Sequence, residues 1–223
     1  MPSLRIIIIA TLMNTVNAWS PSNYPFLPAS TDTTKVRDMI IDAQGKNKKI
    51  LDIGCGLGYS TSSSEGSLGI DIDRHNIKKA KKLFPNKKFR HSFVNAKNFD
   101  EDYDVVTSMF YLSNVPQYLR NKIIDSALER AKERVVIVDM NPDYVPELNL
   151  IKKRPYIPDY IKNGRKDLSL FDESVLVDGL LNIWIYNKEN KQEETYELYN
   201  EHKIEIPNWQ GNGAVWCNGK VVT

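Results

Sequence analysis

Cysteine is scarce in this chain of 223 residues: Cys55 and Cys217 are too few for a disulfide framework, and no paired Cys/His spacing marks a zinc site. Three isolated histidines add no metal cluster, so no metal is expected. An excess of one charge is also lacking. Thirty basic against 28 acidic side chains leave a net charge of +2, which gives no reason to expect a polyanion partner for the chain as a whole. No long apolar run is present. The stretch Ile6 to Met13 falls far short of the roughly 20 residues that cross a bilayer as a helix, so no membrane anchor is expected after processing. No Asn is followed two places later by Ser or Thr, which removes glycosylation as support for an extracellular home. With 41% apolar and 26% charged residues, the composition is that of a chain that buries a core, and collagen-like, coiled-coil and wholly disordered readings are excluded.

Residues 1–18 read as a signal-peptide-like leader: Arg5, the apolar run, then a polar stretch closing in Val16-Asn17-Ala18 with small residues at the cleavage positions. A buried first strand is the competing reading of the same isoleucines. Residues 19–32 are rich in Ser, Thr and Pro and hold no acid before Asp32, a transit-like or linker segment. Together the two segments resemble bipartite presequences of algae with secondary plastids. A plastid location is the first expectation and secretion the second.

From Thr33 onward strand and helix alternate. Val36, Met39, Ile40 and Ala43 keep helical spacing and Gly45 stops it; KKILDIG and SLGIDI read as strands. In DRHNIKKAKKLF, Asp73 can cap a helix whose Ile77, Ala80 and Phe84 share a face. KKFRHSFVN, YDVVTSMF and RVVIVDM are further strands, with a helix over PQYLRNKIIDSALERAKE. This order predicts an α/β domain over 33–187, a Rossmann-like doubly wound sheet that is mostly parallel. ESVLV and LLNIWIY, joined at Asp178-Gly179, predict an antiparallel C-terminal hairpin, and residues 188–223 form an extension with a second hairpin signal at Asn218-Gly219.

Chemistry gathers where the first strand ends. In LDIGCGLGYS the chain runs from Asp52 into Gly54, Cys55, Gly56 and Gly58, a turn whose missing side chains let backbone groups meet a ligand. The second strand ends in Asp71, whose carboxylate can accept both hydroxyls of a ribose. Strand, glycine turn, strand and terminal acid place a nucleoside at the switch point of the sheet. A dinucleotide needs a small residue at the sixth position of that turn, and Tyr59 stands there. Asp52 would repel a pyrophosphate but suits a ligand bearing an ammonium and a sulfonium.

LDIGCGLGYS with GIDID, then FVNAKNF, YDVVTSMF and RVVIVD, resembles the ordered motifs of class I S-adenosylmethionine-dependent methyltransferases, over roughly residues 33–187. KRPYIPDYIKN and LVDGLLNIW resemble a small-molecule-like branch of that family. The resemblance implies S-adenosyl-L-methionine as cofactor, with Gly54, Gly56 and Gly58 along its methionine part and Asp71 on the ribose. Ile72 would lie against adenine, Asn95 and Ala96 at the adenine edge, and Ser108, Met109 and Phe110 beside the methionine portion. An amide oxygen at Asn95 can accept from an exocyclic amine.

The same comparison exposes departures. STSSSEGS leaves space for at most one helical turn after the glycines. Ser113-Asn114 stand where the branch often carries His-Glu, and Arg154 where an acid often precedes Pro-Tyr. No catalytic residue is assigned. Tyr111, Ser113 and Tyr156 remain as acceptor-side candidates beside Asn114, Asp139 and Tyr160, and the acceptor is expected to be nucleophilic already. Asp139 suits a cap or loop hydrogen-bonder as well as an acid. Tyr156, Tyr160 and Trp184 suit either a pocket or the cover of a sheet edge. Lys78, Lys79, Lys81 and Lys82, with Lys87, Lys88 and Arg90, read as a solvated helix face in preference to a nucleic-acid surface. Cys55 reads as a small packing residue. The expectation is a monomeric methyltransferase acting on a small molecule; a cofactor-binding pseudoenzyme and an RNA or protein methyltransferase are the alternatives.

Overall fold

A computed structural model describes residues 33–45, 47–93, 101–177, 179–188, 215–217 and 220–222, the last two stretches as backbone alone. In chain order these are α1 (Thr33–Asp42), β1 (Ile50–Ile53), β2 (Leu68–Asp71), α2 (Arg74–Leu83), β3 (Phe89–His91), β4 (Tyr103–Met109), a single 3-10 turn (Leu112–Asn114), α3 (Gln117–Arg130), β5 (Ala131–Met140), α4 (Leu148–Lys153), α5 (Ile157–Asp167), β6 (Asp172–Val177), β7 (Leu181–Asn187), β8 (Val215–Cys217) and β9 (Lys220–Val222). The chain divides into two compact units, 1–186 and 187–223. The second contains the antiparallel hairpin of β8 with β9.

The first unit is built on a seven-stranded sheet ordered β3-β2-β1-β4-β5-β7-β6. Strands β1 to β5 run parallel, with Leu51 opposite Leu68 on one side and Val106 on the other, while β6 and β7 pair antiparallel. This is the expected mostly parallel, doubly wound sheet with an antiparallel C-terminal pair. Parallel strands covered on both faces need apolar side chains on both, and β4 and β5 meet that need: Val105, Val106, Met109, Val135, Val136, Ile137 and Val138 are all buried. Each such side chain, fully buried, contributes roughly 1.5–3 kcal/mol. A smaller cluster of Cys55, Ile77, Ala80 and Phe89 sits beside the main core.

Local signals explain several boundaries. Asp73 accepts from the His75 and Asn76 amides at the start of α2, as its position predicts. The helix read as PQYLRNKIIDSALERAKE stops at Arg130, because Ala131 is extended and opens β5. KKFRHSFVN contributes only Phe89–His91 to the sheet among the described residues. Helices α4 and α5 were not legible in the hydrophobic pattern. In α5, Gly164 interrupts the apolar stripe because the Tyr160 ring lies against it, 3.1 Å from where a Cβ would stand.

Between β1 and β2 there is no helix. Residues 54–67 cross over as turns alone, where a parallel pair is usually bridged by a helix. Two polar links hold this loop. Ser60 Oγ and Thr61 Oγ1 donate to one oxygen of Asp52 at 2.8 and 2.7 Å, and Ser67 Oγ accepts from the Ile50 amide at 2.9 Å.

Candidate active site

Strand order reverses between β1 and β4, and the crevice outside their carboxyl ends is where ligands bind open α/β sheets. The glycine turn forms its floor. Gly54, Gly56 and Gly58 all have positive φ (74°, 55° and 89°), a region that disfavours side chains. Their surroundings differ. A Cβ on Gly56 would meet nothing within 4 Å, so this residue faces open space; one on Gly54 would strike the Tyr111 ring at 2.3 Å, and one on Gly58 the Phe89 ring at 2.5 Å. Gly56 therefore offers its backbone to a ligand, Gly54 lies under an aromatic wall, and Gly58 lets the turn pack onto β3.

Asp71, at the carboxyl end of β2, accepts from the Gly56 amide at 2.8 Å and from the Asp73 amide at 2.7 Å, one bond on each oxygen. Each oxygen keeps a further acceptor direction, enough for a pair of hydroxyls. Ile72 beside it is 38% exposed, an apolar platform next to the acid. A cradle at Gly56, an acid with spare acceptor capacity and an apolar neighbour fit the ribose and base of a nucleoside. Asn95 and Ala96 lie outside the described residues.

Other sequence candidates turn their side chains into the interior. Asp52, expected to face an ammonium and a sulfonium, is fully buried beneath the turn: Ser60 and Thr61 bond one oxygen, and Thr107 Oγ1 lies 3.4 Å from the other. Burial pushes its carboxyl above the ordinary range, against the lowering pull of those hydroxyls. It acts as an internal staple of the loop. Cys55 is buried against Ile77, Ala80 and Phe89, and burial, then the charges of Asp52 and Asp71, push its thiol far up. Ser108 donates to the Ile53 carbonyl at 3.1 Å and ties β4 to β1, while Met109 is buried in the main core.

The turn after β4 forms the opposite wall. Phe110 has φ 59°, a strained value for a non-glycine residue. Its amide donates to the Val138 carbonyl at 2.7 Å, its carbonyl accepts from Asn114 Nδ2 at 3.0 Å, and the Arg37 guanidinium stacks 4.6 Å from its ring. So fixed, it swings Tyr111 over Gly54. Burial, then the negative charge of Asp71, push the Tyr111 hydroxyl up to about 12. Asp139, at the end of β5, proves to be a loop hydrogen-bonder: fully buried, it accepts from the Ser113 amide at 3.1 Å and the Met140 amide at 2.7 Å. Burial raises its carboxyl too. Ser113 is buried with it, Tyr156 is 41% exposed at the start of α5, and Tyr160 donates to the Met140 carbonyl at 3.0 Å.

Two sets of contacts escaped the sequence reading. Arg154 Nη1 donates to Asn114 Oδ1, so the two positions that depart from the branch pattern meet each other. Arg120 is wholly buried, ion-paired to Asp167 at 2.7 Å and Asp159 at 2.9 Å, and it locks α3 to α5 behind the site. Its helical position beside Leu119 gave no sign of this.

Comparison with known proteins agrees with this architecture. The family model described as a methyltransferase domain matches residues 51–124, which run from β1 through the glycine turn into α3. "Putative methyltransferase 235L" of Invertebrate iridescent virus 6 is 27% identical over 155 residues, 66% of this chain; the chain spans 58% of that protein's length. Among solved structures, magnesium protoporphyrin IX methyltransferase from Synechocystis PCC 6803, with bound S-adenosylmethionine, superposes with a TM-score of 0.52 at 13% identity, covering 84% of this chain and 98% of that one. A TehB-like S-adenosylmethionine-dependent methyltransferase from Corynebacterium glutamicum gives 0.50 at 19% identity, over 68% and 87%. These structures speak for the fold; the family-model match marks a methyltransferase domain over residues 51–124, and the glycine turn and Asp71 on a sheet of this order give the chain the arrangement of the class I S-adenosylmethionine-dependent methyltransferases it resembles.

Proposed function

We propose that the protein transfers a methyl group from S-adenosyl-L-methionine to a nucleophilic atom of a small molecule. The carrying observation is the arrangement at the switch point, where Asp71 grips the open Gly56 turn and keeps acceptor capacity on both oxygens. In this reading Asp71 holds the ribose, Ile72 supports the base, and the Gly54–Gly56 backbone under Tyr111 flanks the methionine part. When bound, the cofactor supplies an electrophilic methyl group on a sulfonium. The protein's own task is to exclude water and align the acceptor, and such positioning is worth up to roughly 7–11 kcal/mol.

A small acceptor suits the surface better than a nucleic acid. Among the described residues, the concavity of about 660 Å³ along the lysine helix is lined by Arg74, His75, Ile77, Lys78, Lys81 and His91, basic but without Phe, Tyr or Trp to stack bases. The pseudoenzyme reading draws on the absence of a crossover helix in 54–67 and of a free acid or histidine near Tyr111 among the described residues.

Calorimetric titration of S-adenosylmethionine and S-adenosylhomocysteine, into wild type and Asp71→Ala, tests the site. Micromolar binding by wild type and at least about a tenfold loss in the variant are expected, the cost of roughly one charged hydrogen bond. Absence of binding at millimolar ligand would overturn the proposal. Binding without turnover across a metabolite extract would favour the pseudoenzyme.

A further inference from the structure

The acceptor wall lacks a base among the described residues. Asp139 and Asp52 are buried with their oxygens bonded internally, and Asp71 faces the glycine turn. His75 and His91 flank α2 and β3, away from the β4 turn. The Tyr111 hydroxyl, with its proton held tightly, is a poor acceptor for another. What stands there instead is a cation. Arg154 is half-buried at the α4–α5 junction, its backbone fixed by an amide bond to the Leu150 carbonyl at 2.8 Å. Among the described residues its guanidinium meets a single partner, the Asn114 amide oxygen. Asn114 in turn holds the Phe110 carbonyl at the strained bend that aims Tyr111 at Gly54. The other arginines of this side are treated differently: Arg120 and Arg165 each pair with two carboxylates. Arg154 keeps most of its five donors for something the described residues do not supply.

Resting on the methyltransferase reading above, we propose that the acceptor is a carboxylic acid, steered by Arg154 and converted into its methyl ester. A carboxylate is ionised at neutral pH, with an ordinary pKa near about 4, so it needs no base. One of its oxygens is held by the guanidinium and the other attacks. The new bond joins that oxygen to the methyl carbon, the carbon–sulfur bond breaks, and its electron pair stays on sulfur. Products are a neutral ester and S-adenosylhomocysteine. No proton moves, in keeping with a wall that has nowhere to send one.

The test uses the full-length protein saturated with S-adenosylhomocysteine. Ligand-observed NMR compares benzoate, phenylacetate, indole-3-acetate and dodecanoate, each beside its primary amide, on wild type, Arg154→Gln and Arg154→Lys. Wild type should prefer at least one acid over its amide by about tenfold, Arg154→Gln should lose that preference, and Arg154→Lys should keep part of it. In parallel, methyl-labelled S-adenosylmethionine is incubated with an acidic metabolite extract, where alkali should release the transferred label as volatile methanol. Alkali-stable labelling, the absence of any acid-over-amide preference in wild type, or a preference that survives in Arg154→Gln would overturn the proposal. If Arg154→Gln instead weakens S-adenosylhomocysteine binding itself, the arginine serves the cofactor's own carboxylate and the proposal falls. Failure of wild type to bind S-adenosylhomocysteine would sink the methyltransferase reading first, and calorimetry separates the two failures.

Discussion

The two sides of the switch point are built from different materials. On the side of β1, β2 and β3 the strands are short, the crossover has no helix, and the ligand-facing surface is backbone, held in place by Asp52 and Asp71. On the side of β4 and β5 the strands are longer and the wall is made of side chains: Tyr111, Asn114 and Arg154, backed by the buried Arg120 pairs. On the proposed function, backbone recognises what every member of a reaction class shares, a nucleoside, while side chains on turns recognise what differs, which assigns acceptor choice to the second side.

Substitutions can break this contrast in graded steps. The largest effect is expected from Arg120→Met, which leaves Asp167 buried without its charge partner; urea unfolding should show a loss of about 3–5 kcal/mol. A stable variant would mean that α3 and α5 are held by packing alone. On the other side, Gly58→Ala must push against Phe89 at positive φ and should cost about 2–4 kcal/mol, whereas Gly56→Ala, with open space around it, should cost about 1–2 kcal/mol. Ligand affinity should reverse that order, since Gly56 faces the site. Equal effects on both measurements would erase the distinction between a packing glycine and a ligand glycine.

The smallest effect concerns pH. Burial raises Asp139 above the ordinary carboxylate range, so the folded state binds its proton more tightly than the unfolded state does. The stability this contributes is complete below the unfolded value of about 3.8 and is lost as pH rises through the folded value. Asp139→Asn cannot titrate and sacrifices one amide bond at every pH. Its deficit relative to wild type should therefore narrow from about pH 4 to about pH 7 in paired urea titrations. A deficit that widens would show that the ionised carboxylate stabilises the 112–114 turn.

Much of the first side was legible in the residues. Period and punctuation gave the strands, Asp73 announced its cap, and the Gly54–Gly58 turn with Asp71 pointed to a nucleoside before any geometry was known. Asp52 misled because in a parallel strand either face is interior: its place in the motif suggested a ligand, while the sheet buried it. The second side was less legible. Asn114 and Arg154 meet across 40 residues of chain, and no local pattern reports such a contact. Nothing in the helical pattern singled out Arg120, and only the placement of Asp159 and Asp167 on α5 makes its burial possible.

Without a crossover helix, α1 stands against the loop in its stead. Asp38, Ile41 and Asp42 line a cavity of about 460 Å³ with Tyr59, Thr61, Ser62 and Lys87, and Arg37 of the same helix stacks on Phe110. The earliest described segment of the chain thus braces both the helix-free loop and the Phe110 bend. Local opening of α1 is therefore expected to loosen both at once, and its amide hydrogens should exchange in step with those of residues 59–64.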